Sequence, residues 1–280
     1  MIPSVRMEWK GLRGVLENAA LIIGPMSGLP KRRTQEYVFN YYNQKFALDM
    51  EKLRDRYLAP RLAVVQDRFV RVSSFELDSL QIGEHYRAIR GQYPDGKDPQ
   101  RVLEVGAGYG RTLFPLSRAF PNAEFWGLEY SNAGPRNART YEGCMTSEID
   151  AIAARLAPLR KKDRLAADFR SGDARKLPYE DKSFDVAYTN LVLEQIPSPE
   201  DHDRVFREIR RVTRGLCCFL EPWGDAQTWL TMPYLRHVDY FRQSYRKLDT
   251  LGYKDVRFRR LHFSGNPRFN YGFVTAVPGD

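Results

Sequence analysis

Val102-Leu-Glu-Val-Gly106-Ala-Gly108-Tyr-Gly110-Arg-Thr-Leu113 is the segment from which the architecture follows. An apolar run gives way to glycines at every second position and then to a helical pattern, the order of a strand, a tight turn and a helix. Glycines in such a turn let the backbone approach a ligand more closely than a side chain would allow. A dinucleotide-dehydrogenase turn, G-x-G-x-x-G, requires glycine at position 111, where this chain has Arg111. A phosphate-binding loop fails as well, because no G-K-[ST] follows.

Downstream of Pro99, short apolar runs alternate with helical stretches: Arg101–Val105, Ala123–Leu128, Ala167–Arg170, Phe184–Thr189 and Leu216–Glu221. Each gap has room for a crossover helix, so these five runs predict a parallel sheet covered on both faces. Lys254–Phe263 and Tyr271–Val277 are separated by Ser264-Gly-Asn-Pro267 and a few more residues. That is too short for a helical crossover, and the final strand is expected to run antiparallel to its predecessor. Upstream, Pro3 to about Tyr93 reads as interrupted helix, with a Gly/Pro break at Gly24–Pro30, Thr34 as an N-cap and a further helix over Ser74–Gly91. The aromatic run Tyr37–Phe46 fits core packing at broadly helical spacing, and no strand is expected in this third of the chain.

The chain of 280 residues, 42% hydrophobic and 28% charged, has ordinary globular usage, which excludes disordered, collagenous and coiled-coil classes. Cys217 and Cys218 are adjacent and the third cysteine is distant, so neither a disulfide framework nor a metal or redox spacing is present, as fits a cytoplasmic protein with reduced thiols. Ala19–Ile23 is cut by Gly24-Pro25 and falls far short of the about 20 residues of a membrane span. No signal-peptide pattern follows it. The net charge of +9 is densest from Arg204 to Arg260, where 13 basic residues face 6 acidic ones. A solvated basic face is the plain reading, and an anionic substrate or nucleic-acid track is the alternative.

With Glu104 two residues before the first glycine, E-x-G-x-G-x-G closely resembles motif I of the class I S-adenosylmethionine-dependent methyltransferases. Three further segments arrive in that family's order. Phe125-Trp-Gly-Leu-Glu129-Tyr130 resembles the second strand, whose terminal acid accepts from the ribose hydroxyls. Ser171-Gly-Asp173-Ala174-Arg-Lys-Leu177-Pro178, continuing to Ser183-Phe184-Asp185, resembles the stretch whose aspartate meets the adenine amino group. Val186-Ala-Tyr-Thr-Asn190-Leu191 resembles the fourth strand end, where backbone carbonyls meet the methionine amino group. The chain departs from the family at Arg211-Val-Thr-Arg-Gly215, which shortens the usual R-V-L-x-P-G-G turn.

The resemblance covers roughly residues 85–277 and implies a Rossmann-like, doubly wound seven-stranded sheet in the order 3-2-1-4-5-7-6. It divides the chain into an N-terminal helical cap, residues 1–72, and a catalytic domain, 73–280. It implies S-adenosyl-L-methionine as cofactor, held by Glu104, Gly106, Ala107, Gly108, Gly110, Glu129, Tyr130, Asp173, Ala174, Asn190 and Leu191. An extra segment, about Thr146 to Lys162, carries an amphipathic helix and suggests a lid or packing element.

Methyl transfer needs positioning more than a strong base. Glu194, Glu221 and His237 are the candidates for proton removal, while His202, at a helix start, reads as surface and His85 as facing either core or cofactor. Tyr41, Tyr42, Trp223 and Tyr240 are the candidates for acceptor contact, and Arg236, His237, Arg242 and Arg246 for an acceptor wall, the last two on one face if helical. The segment after strand four lacks [DN]-P-P-[YF], which counts against adenine-N6 chemistry, and no metal ligand set is present. A small-molecule acceptor is therefore expected, O- or N-methylated. The alternatives are an RNA methyltransferase with Arg207, Arg210, Arg211, Arg242 and Arg246 in one stripe, or a non-catalytic binding protein. Assembly as a homodimer stays open.

Overall fold

A computed structural model of the chain describes residues 34–46, 50–66, 68–94, 97–158, 167–229, 231–237 and 241–279. Two helices, α1 (Gln35–Phe46) and α2 (Met50–Leu58), precede a hairpin of β1 (Arg61–Val65) and β2 (Arg68–Val72) and the long helix α3 (Ser74–Gln92). Ser73 starts α3 by accepting from the Glu76 N–H, a capping bond that satisfies one of the helix's orphan donors.

The main body follows as β3 (Arg101–Val105), α4 (Leu113–Ala119), β4 (Glu124–Glu129), α5 (Ala133–Cys144), α6 (Thr146–Leu156), β5 (Ala167–Ser171), β6 (Phe184–Asn190), α7 (Pro199–Val212) and β7 (Thr213–Glu221). It ends with α8 (Met232–His237), α9 (Lys247–Thr250), β8 (Tyr253–Arg260), β9 (Phe263–Ser264) and β10 (Gly272–Pro278). The seven-stranded sheet runs β5-β4-β3-β6-β7-β10-β8, with β10 antiparallel to both neighbours. This is the expected 3-2-1-4-5-7-6 order when the sheet's strands are counted along the chain.

Successive strand residues face opposite sides, and the sheet uses that alternation to build two cores. Val102, Cys218 and Leu220 pack under α3, α4, α5 and α6, while Leu103, Cys217 and Phe219 pack under α7. The adjacent cysteines are thus buried on opposite faces. In α7, Val205, Phe206, Ile209 and Val212 form the buried stripe, and Ser198 with Pro199 sets its start. The segment after α5 is a packing element where it is described: Ile149 and Ile152 of α6 are buried, and Arg118 of α4 donates to Asp150 at 2.6 Å.

The hairpin corrects the expectation that the N-terminal third has no strand. Val65 pairs with Arg68 across its turn, and β1 also pairs with β9 through Val64↔Ser264 and Val65↔Phe263. The resulting three-stranded sheet joins residues some two hundred positions apart in sequence. The predicted strand Lys254–Phe263 is accordingly split after Arg260, where β8 ends and the chain turns to join this second sheet. Among the described residues no helix is long and apolar enough to cross a membrane.

Candidate functional site

The glycine turn bends over the carboxyl end of β4. Gly106 and Ala107 both donate to Leu128 O, at 2.7 and 2.9 Å, and Gly110 N–H closes back on Ala107 O at 2.8 Å. Gly106 has φ +79°, a left-handed conformation, and a Cβ there would meet Val192 Cγ2 at 2.3 Å. Only glycine fits this turn against its neighbouring loop.

The turn forms one wall of a cavity of about 650 Å³ at the carboxyl ends of the strands, where open α/β sheets place their ligands. Glu104, Gly106, Ala107, Gly108, Glu129, Tyr130, Asp173, Ala174, Asn190 and Leu191 all line it. Gly110 belongs to the turn but lies outside the lining, its missing Cβ making room for Phe114 instead.

Glu129 is buried, and its two carboxylate oxygens accept from Gly108 N–H at 3.0 Å and Ser131 N–H at 2.9 Å. Burial raises its pKa, while these two N–H groups and Lys45 pull the other way. A carboxylate has about four acceptor sites, so both oxygens keep capacity on the cavity side. Glu104 is buried nearby and accepts from the Tyr188 hydroxyl at 3.0 Å; burial drives its carboxyl well above the ordinary range. Burial also pulls the Asp173 carboxyl up, but Arg175, bonded through its Nε and backbone N–H at 2.9 Å, holds it below the usual value.

The opposite wall is the loop after β6. Leu191 adopts φ +58° and donates to Leu220 O at 2.9 Å. Glu221 accepts from Val192 N–H at 3.0 Å and Leu193 N–H at 3.1 Å. Burial pushes the Glu221 carboxyl up to about 8, opposed by those N–H groups. It is absent from the lining, and its geometry is that of a pin beneath the loop, in place of the proton-accepting position expected from sequence. Glu194, in the short 3-10 turn Leu193–Gln195, does line the cavity.

The α1 helix closes the site from above. The Asn43 side-chain oxygen accepts from Asn132 and Ala133 N–H at 3.0 and 3.1 Å, capping α5, and Gln35 donates to Asp201 at 2.9 Å, which also takes Arg175. Tyr42 lines the cavity, whereas Tyr41 is outside it and exposed, stacked on Tyr37.

Several sequence-based expectations are corrected. Trp223 is fully buried against Phe206 and Phe241 and takes no part in the lining. Arg242 and Arg246 share no helical face, because Phe241–Ser244 is non-helical and Asp225 instead accepts from Ser244 and from Tyr245 N–H. Arg210 and Arg211 are engaged internally, by Gly252 O and by Glu208 and Asp181. None of the five arginines proposed as a stripe lines the cavity. His202, expected at the surface, is buried and its Nε2 sits 2.8 Å from Ile196 O. The His237 side chain and Tyr240 lie outside the described residues.

Sequence reasoning missed one buried cluster. Arg111 donates through Nε to Asp78 at 2.8 Å and through a terminal nitrogen at 2.6 Å, and the Tyr57 hydroxyl donates to the same carboxylate at 2.8 Å. Asp78, Gln81 and Arg111 line the cavity, as do Lys45 and Arg61. The available signal was Arg111 itself, a charge placed directly after the last glycine of the turn.

Residues 103–216 match a protein-family model described as Methyltransferase domain. The chain is similar to a malonyl-[acyl-carrier protein] O-methyltransferase of Halorhodospira halophila, 30% identical over 115 residues that cover 41% of this chain and 32% of that protein. It is also similar to a fatty-acid O-methyltransferase of Mycolicibacterium smegmatis, 28% identical over 57% of this chain and 48% of that one. The chain spans about a third to about half the length of these curated relatives. Among solved structures, the [4+2]-cyclase SpnF has the same fold, with a TM-score of 0.59 at 17% identity over 90% of this chain and 99% of that one.

Proposed function

We propose that this chain, which by its matched domain and seven-stranded topology belongs with the class I S-adenosylmethionine-dependent methyltransferases, transfers a methyl group to an oxygen of a small organic acceptor. The observation that carries the reading is convergence: the glycine turn, Glu129, Asp173 and Asn190 come from four strand ends and line one cavity. The residues fit the cofactor. The close backbone at Gly106 and Gly108 suits its approach, the free acceptor capacity of Glu129 suits paired ribose hydroxyls, and Asp173 with Ala174 suits the adenine edge. Bound there, S-adenosylmethionine supplies a sulfonium-activated methyl group for in-line displacement.

The chain's own residues then do the rest. Asn190 is held by Gln81 at 3.0 Å, and Leu191 by Leu220, so the fold itself positions the loop facing the cavity. Glu194 lines the same wall and is the carboxylate placed to take an acceptor proton. The relatives named as O-methyltransferases favour oxygen as the acceptor atom. The buried, separated thiols of Cys217 and Cys218 suit action in the cytoplasm.

Calorimetry with S-adenosylhomocysteine tests the reading. The wild-type chain should bind it, and Glu129→Ala should weaken binding by about 1–3 kcal/mol, because two hydroxyls lose a charged acceptor. Equal affinity in a folded Glu129→Ala protein removes Glu129 from the site, and no binding to the wild type refutes the proposal.

A further inference from the structure

We propose that Lys45 and Arg61 form the receptor for a single anionic oxygen head, carboxylate or phosphate monoester, on an acceptor with an apolar body. The inference rests on the function proposed above and names the chemical class its site takes.

Five cations line the cavity: Lys45, Arg61, Arg111, Arg175 and Arg268. They are not equivalent. Arg111 is held by Asp78, Arg175 is shared between Asp173 and Asp201, and Arg268 lies over the Tyr234 ring at 5.3 Å. Lys45 and Arg61 make no ion pair among the described residues. They nevertheless sit within electrostatic reach of each other, and Lys45 also feels the positive Arg111. Lys45 lines the cavity while keeping its side chain in solvent; Arg111 and Arg61 oppose its charge, and Glu194 and Glu129 favour it.

The two come from separate elements, and the fold brings both to one cavity. Lys45 is in the last turn of α1, its ammonium 4.9 Å from the Tyr42 ring centre. Arg61 begins β1, and the β1–β9 pairing carries it beside Gly265, where a Cβ would stand 2.9 Å from its guanidinium. Glu194 and Glu129 are the acids that act on Lys45, and both line the cavity. An ammonium supplies a compact charge and a guanidinium a two-pronged donor, a combination suited to one carboxylate or phosphate head. Val38, Phe46, Leu62, Ile196 and Phe269 line the same cavity and offer apolar surface to the remainder of the molecule.

The test is calorimetric titration of the full chain with octanoate, octyl phosphate and 1-octanol, with and without saturating S-adenosylhomocysteine. At least one anion should bind tenfold or more tightly than 1-octanol, and whichever binds better identifies the head. Lys45→Met and Arg61→Met should each lower anion affinity about tenfold and leave 1-octanol affinity unchanged. Equal binding of all three probes by the wild type, or binding of none, overturns the inference even if neither variant folds. Anion affinity unaltered in both folded variants overturns it as well. Failure of S-adenosylhomocysteine to bind refutes the methyltransferase reading separately, since the probes are also compared in its absence.

Discussion

Replacing Gly106 by alanine should destabilise the chain through two effects that a second substitution can separate. The residue has φ +79°, and an added Cβ would stand 2.3 and 2.7 Å from the two γ-carbons of Val192. Left-handed backbone costs a non-glycine residue roughly 1–2 kcal/mol, and overpacking of this kind typically costs about 1–3 kcal/mol. The total is about 2–5 kcal/mol, or roughly 5–15 °C in melting temperature for a protein of this size. Val192→Ala removes both γ-carbons and leaves the Val192 Cβ at 3.1 Å. The double variant should therefore recover the overpacking share, giving a favourable coupling of about 1–3 kcal/mol, while the backbone share persists. Gly143→Ala serves as the control: it lies in α5 with nothing within 4 Å of its added Cβ, and should stabilise by about 0.4–1 kcal/mol. Urea unfolding of the five proteins measures all terms. Strict additivity of Gly106→Ala and Val192→Ala would refute the steric argument, and equal effects at 106 and 143 would refute the backbone argument.

Two other consequences follow from buried groups. His85 is fully buried, its Nε2 3.4 Å from Asn190 Oδ1, and burial lowers its pKa to about 3. Between that value and the unfolded value of about 6.5 the folded state holds fewer protons than the unfolded one, so stability rises with pH across this window and is lost as pH falls through it, about 2 kcal/mol being gone by pH 5. His85→Phe should flatten this part of the pH profile by that amount in chemical denaturation, and parallel profiles would sink the assignment. Trp223→Ala should cost about 3–5 kcal/mol as a core truncation and leave S-adenosylhomocysteine affinity unchanged; reduced affinity in a stably folded variant would return Trp223 to the site.

The sheet was readable because its signals are local. Apolar runs at Val102–Val105 and Val186–Thr189 are separated by helix-length gaps, and Gly106, Gly108 and Gly110 mark the turn that faces the cavity. The hairpin was not readable in the same way. Its two runs, Leu62–Val65 and Phe69–Val72, meet at Gln66-Asp67, which lacks the glycine or asparagine that announces a tight turn, although Gln66 still takes φ +53°. Trp223 misled because proximity to a strand end says nothing about direction: Gly224–Ala226 turns the chain back onto α7, carrying the indole into the lower core.

The same contrast divides the site into two halves with different origins. Glu104, Gly106, Gly108, Glu129, Asp173 and Asn190 each sit at the end of a strand whose neighbours are fixed by the sheet, so strand order alone brings them to one edge. Lys45, Arg61, Asp78 and Arg111 obey no such rule. They meet because Asn43 fastens α1 to the start of α5, β9 draws β1 across the cavity mouth, and the Tyr57–Asp78–Arg111 bonds tie α2 and α3 to the glycine turn. Each of these ties joins segments far apart in sequence and none has a spacing signature. The strand-end half of the cavity is therefore legible in one chain, whereas the other half, assembled from single long-range contacts, becomes visible only once those contacts are placed.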